Sequence, residues 1–269
     1  MLLDIRHETH YRYSTVARYS IQSMRLSPRT DAGQRIRHWK IDAPGRRWRQ
    51  FDAYGNAVDA ISIVEPHDEV AVITYGQVET ADERGQFLPE DSSVPPLAFA
   101  LPTATTMPDD ALAAMGGEAL RGLNPGVAGF ERLMNAVSSH MEYKPSSTDV
   151  YATAADVWDL GTGVCQDMSH VFLAACRSAS VPARYVSGYV LDPGRPAASH
   201  AWVEGWVSEA RHGSGAWIGL DIAHNRLAGP ELCRVAVGRD YMDAGPIRGA
   251  RLGGVEEVMT VKVLVSAAG

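Results

Sequence analysis

Cys165, His200 and Asp221 are the residues of this sequence whose types could together break an acyl bond. A cysteine is a nucleophile once ionised. A histidine can take and return its proton near neutral pH, and a carboxylate can hold the imidazole in one orientation and favour its protonated form. Downstream of Gly161-Thr162-Gly163, the positions Met168, Val171, Phe172, Ala175, Cys176 and Ala179 recur at helical spacing until Val181-Pro182, which predicts a helix over this run. With Thr162 as the expected N-cap, Cys165 falls in the first turn. Backbone N–H groups there lack intrahelical partners and the helix dipole is positive, and both favour a thiolate.

Residues 199–207 and 216–222 read as strands flanking a polar, glycine-bearing loop at 208–215, the pattern of a hairpin. A turn centred between Ala210 and Arg211 sets His200 directly opposite Asp221. Directly opposed residues share a face with Cβ atoms about 4.5–5.5 Å apart, whereas a one-residue slip would send them to opposite faces. Strand facing alone leaves a structural reading open: a small core thiol at Cys165 and a hydrogen-bonded structural histidine at His200.

The neighbouring residues are expected to be structural. Cys176 lies on the apolar stripe, about 16 Å from Cys165 along the helix, too far for a disulfide. Asp167 and His170 read as capping and packing groups; His170 sits about 140° around the helix from Cys165, a poor position for its base. Trp202 shares the face of His200 and reads as core, and Arg239 and Asp240 are expected to form an ion pair. His7 and His10 have odd spacing in a strand, which puts them on opposite faces and disfavours joint metal ligation. Three cysteines without a CxxC pair argue against a disulfide framework and a cysteine zinc site.

These residues need a frame to hold them, and 269 residues with 45% hydrophobic and 21% charged content suffice to bury one. Residues 1–80 read as an antiparallel β-sandwich, with strands at 9–13, 36–41, 58–64 and 69–78 separated by Ser27-Pro28, Ala43-Pro44-Gly45 and Tyr54-Gly55-Asn56. A proline-bearing connector follows over 81–108. Residues 109–269 form the core with a C-terminal strand segment, its helices predicted after Pro108-Asp109-Asp110 and over 127–142. The net charge of −7 argues against nucleic acid and anionic membranes as partners. With no apolar run of about 18 residues and no signal-peptide pattern, a cytoplasmic location is expected. There is no dinucleotide loop, GxSxG elbow or EF-hand loop, so no cofactor and no metal is expected.

The stretch from Gly163-Val164-Cys165-Gln166-Asp167 to Arg184-Tyr185-Val186-Ser187-Gly188-Tyr189 resembles the core of the bacterial transglutaminase-like superfamily. So do Ser199-His200-Ala201-Trp202, Trp217-Ile218-Gly219-Leu220-Asp221 and Gly238-Arg239-Asp240-Tyr241. The N-terminal third, with Asp52-Ala53-Tyr54-Gly55-Asn56, looks like the β-sandwich preceding that core. The resemblance implies an α+β fold, a helix bearing the nucleophile packed on an antiparallel sheet in papain-like fashion, and a Cys165–His200–Asp221 triad. It implies acyl transfer on peptide-type amides through a thioester, to a primary amine acceptor or, in a peptidase or amidase, to water. A non-catalytic peptide-binding module on the same fold is the alternative. Tyr143 is a candidate oxyanion donor beside the Cys165 N–H, with a packed aromatic as its other reading. The sequence departs from the resemblance after Asp221, where Ile222-Ala223-His224-Asn225 replaces the family's Pro-Thr-Asn. Oligomeric state is not legible.

Overall fold

The computed structural model of the protein describes residues 1–121, 126–145, 148–193, 199–211 and 214–268. Five strands open the chain: β1 (Leu2–Met24), β2 (Gln34–Asp42), β3 (Arg46–Phe51), β4 (Ala57–Ile63) and β5 (His67–Thr80). After β6 (Phe87–Leu88) come α1 (Asp110–Ala119), α2 (Gly126–His140), β7 (Glu142–Tyr143), α3 (Ala154–Leu160), β8 (Thr162–Gly163) and α4 (Cys165–Ser178). The chain ends with β9 (Ala183–Val190), β10 (Ser199–Arg211), β11 (Ser214–Asp221), β12 (Arg226–Leu227), β13 (Leu232–Gly238), α5 (Tyr241–Ala244), β14 (Ile247–Gly253) and β15 (Glu257–Ala267). Among the described residues, no helix is long and apolar enough to cross a membrane.

Long β1 is the spine of a seven-stranded sheet ordered β2-β5-β1-β4-β3, in which β14 and β15 also pair with β1. The C-terminal strand segment, contiguous in sequence with the core, therefore completes the N-terminal sheet. The alternation in β1 explains its burial: Leu3, Ile5, His7, Thr9, Tyr11 and Tyr13 point inward, with exposed Arg6 and Arg12 between them. Leu3, Ile5, Val78 and Val263 of this sheet pack on Tyr189, Cys233 and Val235 of the next. His7 is buried and bonded to the Tyr189 hydroxyl at 3.0 Å, while His10 turns to a half-exposed position beside Glu8, so the two share no site. β3 was not legible because all six of its residues are exposed and carry no alternation.

The second sheet runs β12-β11-β10-β9-β13, with β6 added to β11. α4 packs on it through Met168, Val171, Phe172 and Ala175, which share a core with Phe130, Leu133 and Val137 of α2 and with Ala201, Val203 and Leu220 of the sheet. This is the α+β arrangement expected, a helix on an antiparallel sheet. α2 ends at His140, and Glu142, expected as the helix's last residue, instead joins Tyr143 in a strand that pairs in parallel with Thr162–Gly163. Short α3 starts at a Thr153 cap that accepts the Asp156 N–H and ends on Gly161 at φ 67°, a left-handed conformation suited to glycine.

β13 is an edge strand, and such an edge presents unpaired backbone groups. Two buried amides from the first sheet cover it. Gln34 donates from Nε2 to the Arg234 carbonyl at 2.7 Å and accepts the Arg234 N–H at 2.8 Å. Asn56, fully buried, makes the same pair with Val237, at 2.7 and 2.8 Å. The Tyr54-Gly55-Asn56 turn thus docks one sheet on the other. Asn56→Ala should leave both backbone groups of Val237 without partners. We expect a loss of about 1–3 kcal/mol, read as a lower urea midpoint at unchanged slope.

Candidate active site

Cys165 is the first residue of α4 and is half-buried. The residue preceding the helix is Val164 and not Thr162, because Thr162 and Gly163 are drawn into β8. The cap is supplied from inside the helix: the Asp167 carboxylate accepts the Val164 N–H at 2.8 Å and the Thr148 hydroxyl at 2.6 Å. A Cβ on Gly163 would stand 2.7 Å from the Asp167 Cβ, so only glycine permits this approach. The first-turn N–H groups beside the thiol lack intrahelical acceptors and point out of the helix end.

His200 is the second residue of β10 and Asp221 the last of β11; they are 6% and 0% exposed. The expected direct opposition is corrected by the register. Val203 faces Leu220 and Glu204 faces Gly219, which carries Asp221 opposite Trp202 and leaves His200 on the diagonal. The strands run on to Arg211 and from Ser214, with an irregularity after Val207; residues 212–213 of the expected loop lie outside the described residues. Because the offset is two, the face is preserved, and His200 Nε2 donates to Asp221 Oδ1 at 2.8 Å. The side chain of Cys165 lies close enough to His200 to favour the ring's protonated form as well. With Nε2 committed to Asp221, Nδ1 is the ring nitrogen left for the sulfur.

Burial alone would push the His200 ring down, but its hydrogen bonds to Asp221 and Cys165 outweigh that and hold it up at about 10. For Asp221, burial acts upward. Bonds from His200 and His224 overcome it and hold the carboxyl well below the usual carboxylate range. Burial pushes Cys176 and Cys233 well above the usual thiol range. His170, fully enclosed, is pushed by burial down to about 4; its Nε2 accepts the Tyr241 N–H at 3.2 Å.

The remaining expectations divide. Tyr143 pairs with Gly163 across the β7–β8 ladder, two residues before Cys165, and is half-buried against the helical core. Trp202 is buried with its ring 6.1 Å from that of His200, the two planes 26° apart. The expected Arg239–Asp240 pair does not form. Arg239 binds Asp243 at 3.1 Å, and Asp240 caps α5 through the N–H groups of Met242 and Asp243. Local capping within α5 takes the Asp240 carboxylate away from its neighbour.

His224 is the residue that sequence reasoning did not assign. Its Nδ1 lies 2.8 Å from Asp221 Oδ2, and its Nε2 lies 3.1 Å from Asp192 Oδ2. The available signal was the departure after Asp221. Ligand-type atoms of His200, Asp221 and His224 lie within 4.8 Å of one another, a spacing compatible with a cation. His200 Nε2 and both ring nitrogens of His224 nonetheless face carboxylate oxygens at hydrogen-bond distance, the arrangement of a chain that shares protons.

Residues 114–222 match the family model of the transglutaminase-like superfamily, and residues 3–79 that of the bacterial transglutaminase-like N-terminal region. An uncharacterized protein of Mycobacterium leprae is 30% identical over 265 residues, covering 92% of each chain. An uncharacterized protein of Mycobacterium tuberculosis is 28% identical over 270 residues, covering 91% of this chain and 86% of its own. Among solved structures, a protein of Cytophaga hutchinsonii proposed to be a cysteine protease superposes with a TM-score of 0.79 at 20% identity. That match covers 100% of this chain and 91% of the other, and shows a shared fold.

The raised His200 value fixes the sign of a stability effect. Folded His200 holds its proton more tightly than an unfolded histidine at 6.5, so protonation favours the fold. The contribution is full below about pH 6.5 and is lost as pH rises toward about 10. Urea unfolding of the protein and of His200→Ala across this window should show the wild-type advantage shrinking. An advantage that grows with pH would contradict the ion-pair assignment.

Proposed function

The chain belongs to the transglutaminase-like superfamily, cysteine enzymes of acyltransferase or protease type, and from that premise we propose that Cys165, His200 and Asp221 form a catalytic triad for acyl transfer on peptide-type amides. The observation that carries the proposal is the bond of His200 Nε2 to Asp221 at 2.8 Å, on a ring whose protonated form the Cys165 side chain also favours.

The steps follow from the protonation of that ring. The Cys165 sulfur attacks the carbonyl carbon, and the carbonyl π pair moves onto oxygen. The Cys165 N–H at the head of α4 is one donor to that oxyanion, and we assign Tyr143, across the β7–β8 ladder, as a second. Collapse restores the carbonyl, breaks the C–N bond and passes the His200 proton to the departing amine, leaving a thioester and a neutral ring. An incoming primary amine then attacks the thioester, His200 takes its proton, and the sulfur leaves as thiolate. Water in the same place gives hydrolysis. Asp221 holds the ring's tautomer and orientation throughout.

Limiting iodoacetamide near pH 6 should label Cys165 ahead of Cys176 and Cys233, and His200→Ala should abolish the preference. Equal, slow labelling of all three would favour a peptide-binding module. Peptide amides assayed with and without a primary amine separate transfer from hydrolysis. In either assay His200→Ala should lower turnover by about 10²–10⁴-fold.

A further inference from the structure

The residues after Asp221 form a tight turn, Ile222–His224, followed by Asn225 at φ 48°. The turn is anchored to α2, where the Ser138 hydroxyl donates to the Ile222 carbonyl at 2.7 Å. This fixes the backbone that carries His224, which is 15% exposed. The ring is held between two carboxylates, Asp221 Oδ2 at 2.8 Å from Nδ1 and Asp192 Oδ2 at 3.1 Å from Nε2.

We propose that His224 is a positioning residue for the acyl-transfer site, extending the triad into a chain that runs Cys165, His200, Asp221, His224, Asp192. The proposal rests on the triad reading given above. Three observations lead to it. A carboxylate held by one donor can turn about its last torsion and exchange its oxygens. Asp221 has His200 on Oδ1 and His224 on Oδ2, so its plane is fixed with Oδ1 aimed at the catalytic ring. A neutral imidazole has one N–H and can donate to one acceptor; with an acceptor at each nitrogen, only a ring protonated at both donates to both. Finally, Asp192 follows β9 and precedes β10, the strand bearing His200. Through His224, Asp192 just after β9 is tied to the end of β11, which bears Asp221.

The other charged and titratable groups around the ring fit this role. Arg226, from β12, reaches Asp221 Oδ2 only at 3.5 Å and spends its terminal nitrogen on Glu231 at 3.1 Å. The His200 ring centroid is 5.1 Å away, separated in charge by the Asp221 carboxylate. His224 is thus the nearer second partner of Asp221, and removing it should loosen the catalytic carboxylate without touching the thiol.

The test uses Cys165 alkylation by iodoacetamide, which requires no knowledge of the substrate, together with proton NMR of the low-field resonance expected for the His200 Nε2–H bonded to Asp221. His224→Phe should slow Cys165 labelling about tenfold, in line with partners that orient a catalytic group from behind, and should broaden or remove the resonance. His224→Asn, whose amide can replace Nδ1 toward Asp221, should restore both to within about threefold. Asp192→Asn, a change at the outer end of the chain, should give a smaller loss in the same direction. It serves in place of His224→Phe should that variant not fold. Labelling and resonance unchanged in His224→Phe, or in Asp192→Asn where that variant is the one read, would overturn the positioning role and leave the triad intact. Labelling unchanged in His200→Ala would overturn the triad reading and, with it, the extended chain.

Discussion

A carboxylate with no exposure to solvent sits at the end of β11, and the arrangement of the second sheet follows from how it is satisfied. Placing Asp221 in the interior as an anion costs several kcal/mol unless donors replace its lost water. His200 and His224 supply one hydrogen bond to each oxygen, at 2.8 Å in both cases, and Arg226 adds positive charge at 3.5 Å. Satisfying the anion therefore requires β10 on one side, the turn after β11 below it and β12 on the other. The protonated state of His200 is the other face of the same constraint. The charge that stabilises Asp221 is the charge turned toward Cys165.

The electrostatics also separate the three cysteines. Cys176 and Cys233 are fully enclosed, and burial holds both as thiols. Cys165 is half-buried at a helix end beside the His200 imidazole. The sequence reading placed Cys176 on the apolar stripe by its spacing, and the core of α4 includes it. A side chain's position relative to a helix end and its stripe thus distinguishes chemically identical residues before any coordinates are known.

Facing and parity were legible in the sequence; pairing over long range was not. The His200–Asp221 relation survives a register error because an offset of two residues preserves the face, whereas the extension of the ladder to Arg211 and Ser214, and the irregularity after Val207 that takes back part of the resulting shift, leave no compositional mark. The C-terminal strand segment read as part of the core, yet β14 and β15 pair with β1 at the other end of the chain, a relation set by tertiary packing that local periodicity does not encode. Exposed β3 has no alternation to read. His224 was passed over for a different reason. It lies in a short turn where neither helical nor strand periodicity assigns a direction, and only the carboxylates at both of its nitrogens reveal its use.

The first sheet contributes no side chain to the proposed triad, but it bears on the shape of the site. Gln34 and Asn56 complete the backbone pairing of β13. The connector places Asp91 among the buried guanidiniums of Arg29, Arg184 and Arg234, at 2.9, 3.0 and 3.2 Å. Burial would push the Asp91 carboxyl up; the three arginines hold it down to about 2. Arg184 and Arg234 also share Glu204, four residues along β10 from His200 on the same face. Losing any one member would leave uncompensated charge in the interior, which costs more than the network gains from being formed. These pairings define how the sheets can stack, and so they constrain the strand that presents His200. A side chain that must meet a sulfur on one nitrogen and an oxygen on the other tolerates little displacement of that strand, which gives the N-terminal sheet a physical reason to be joined to a site it does not enter.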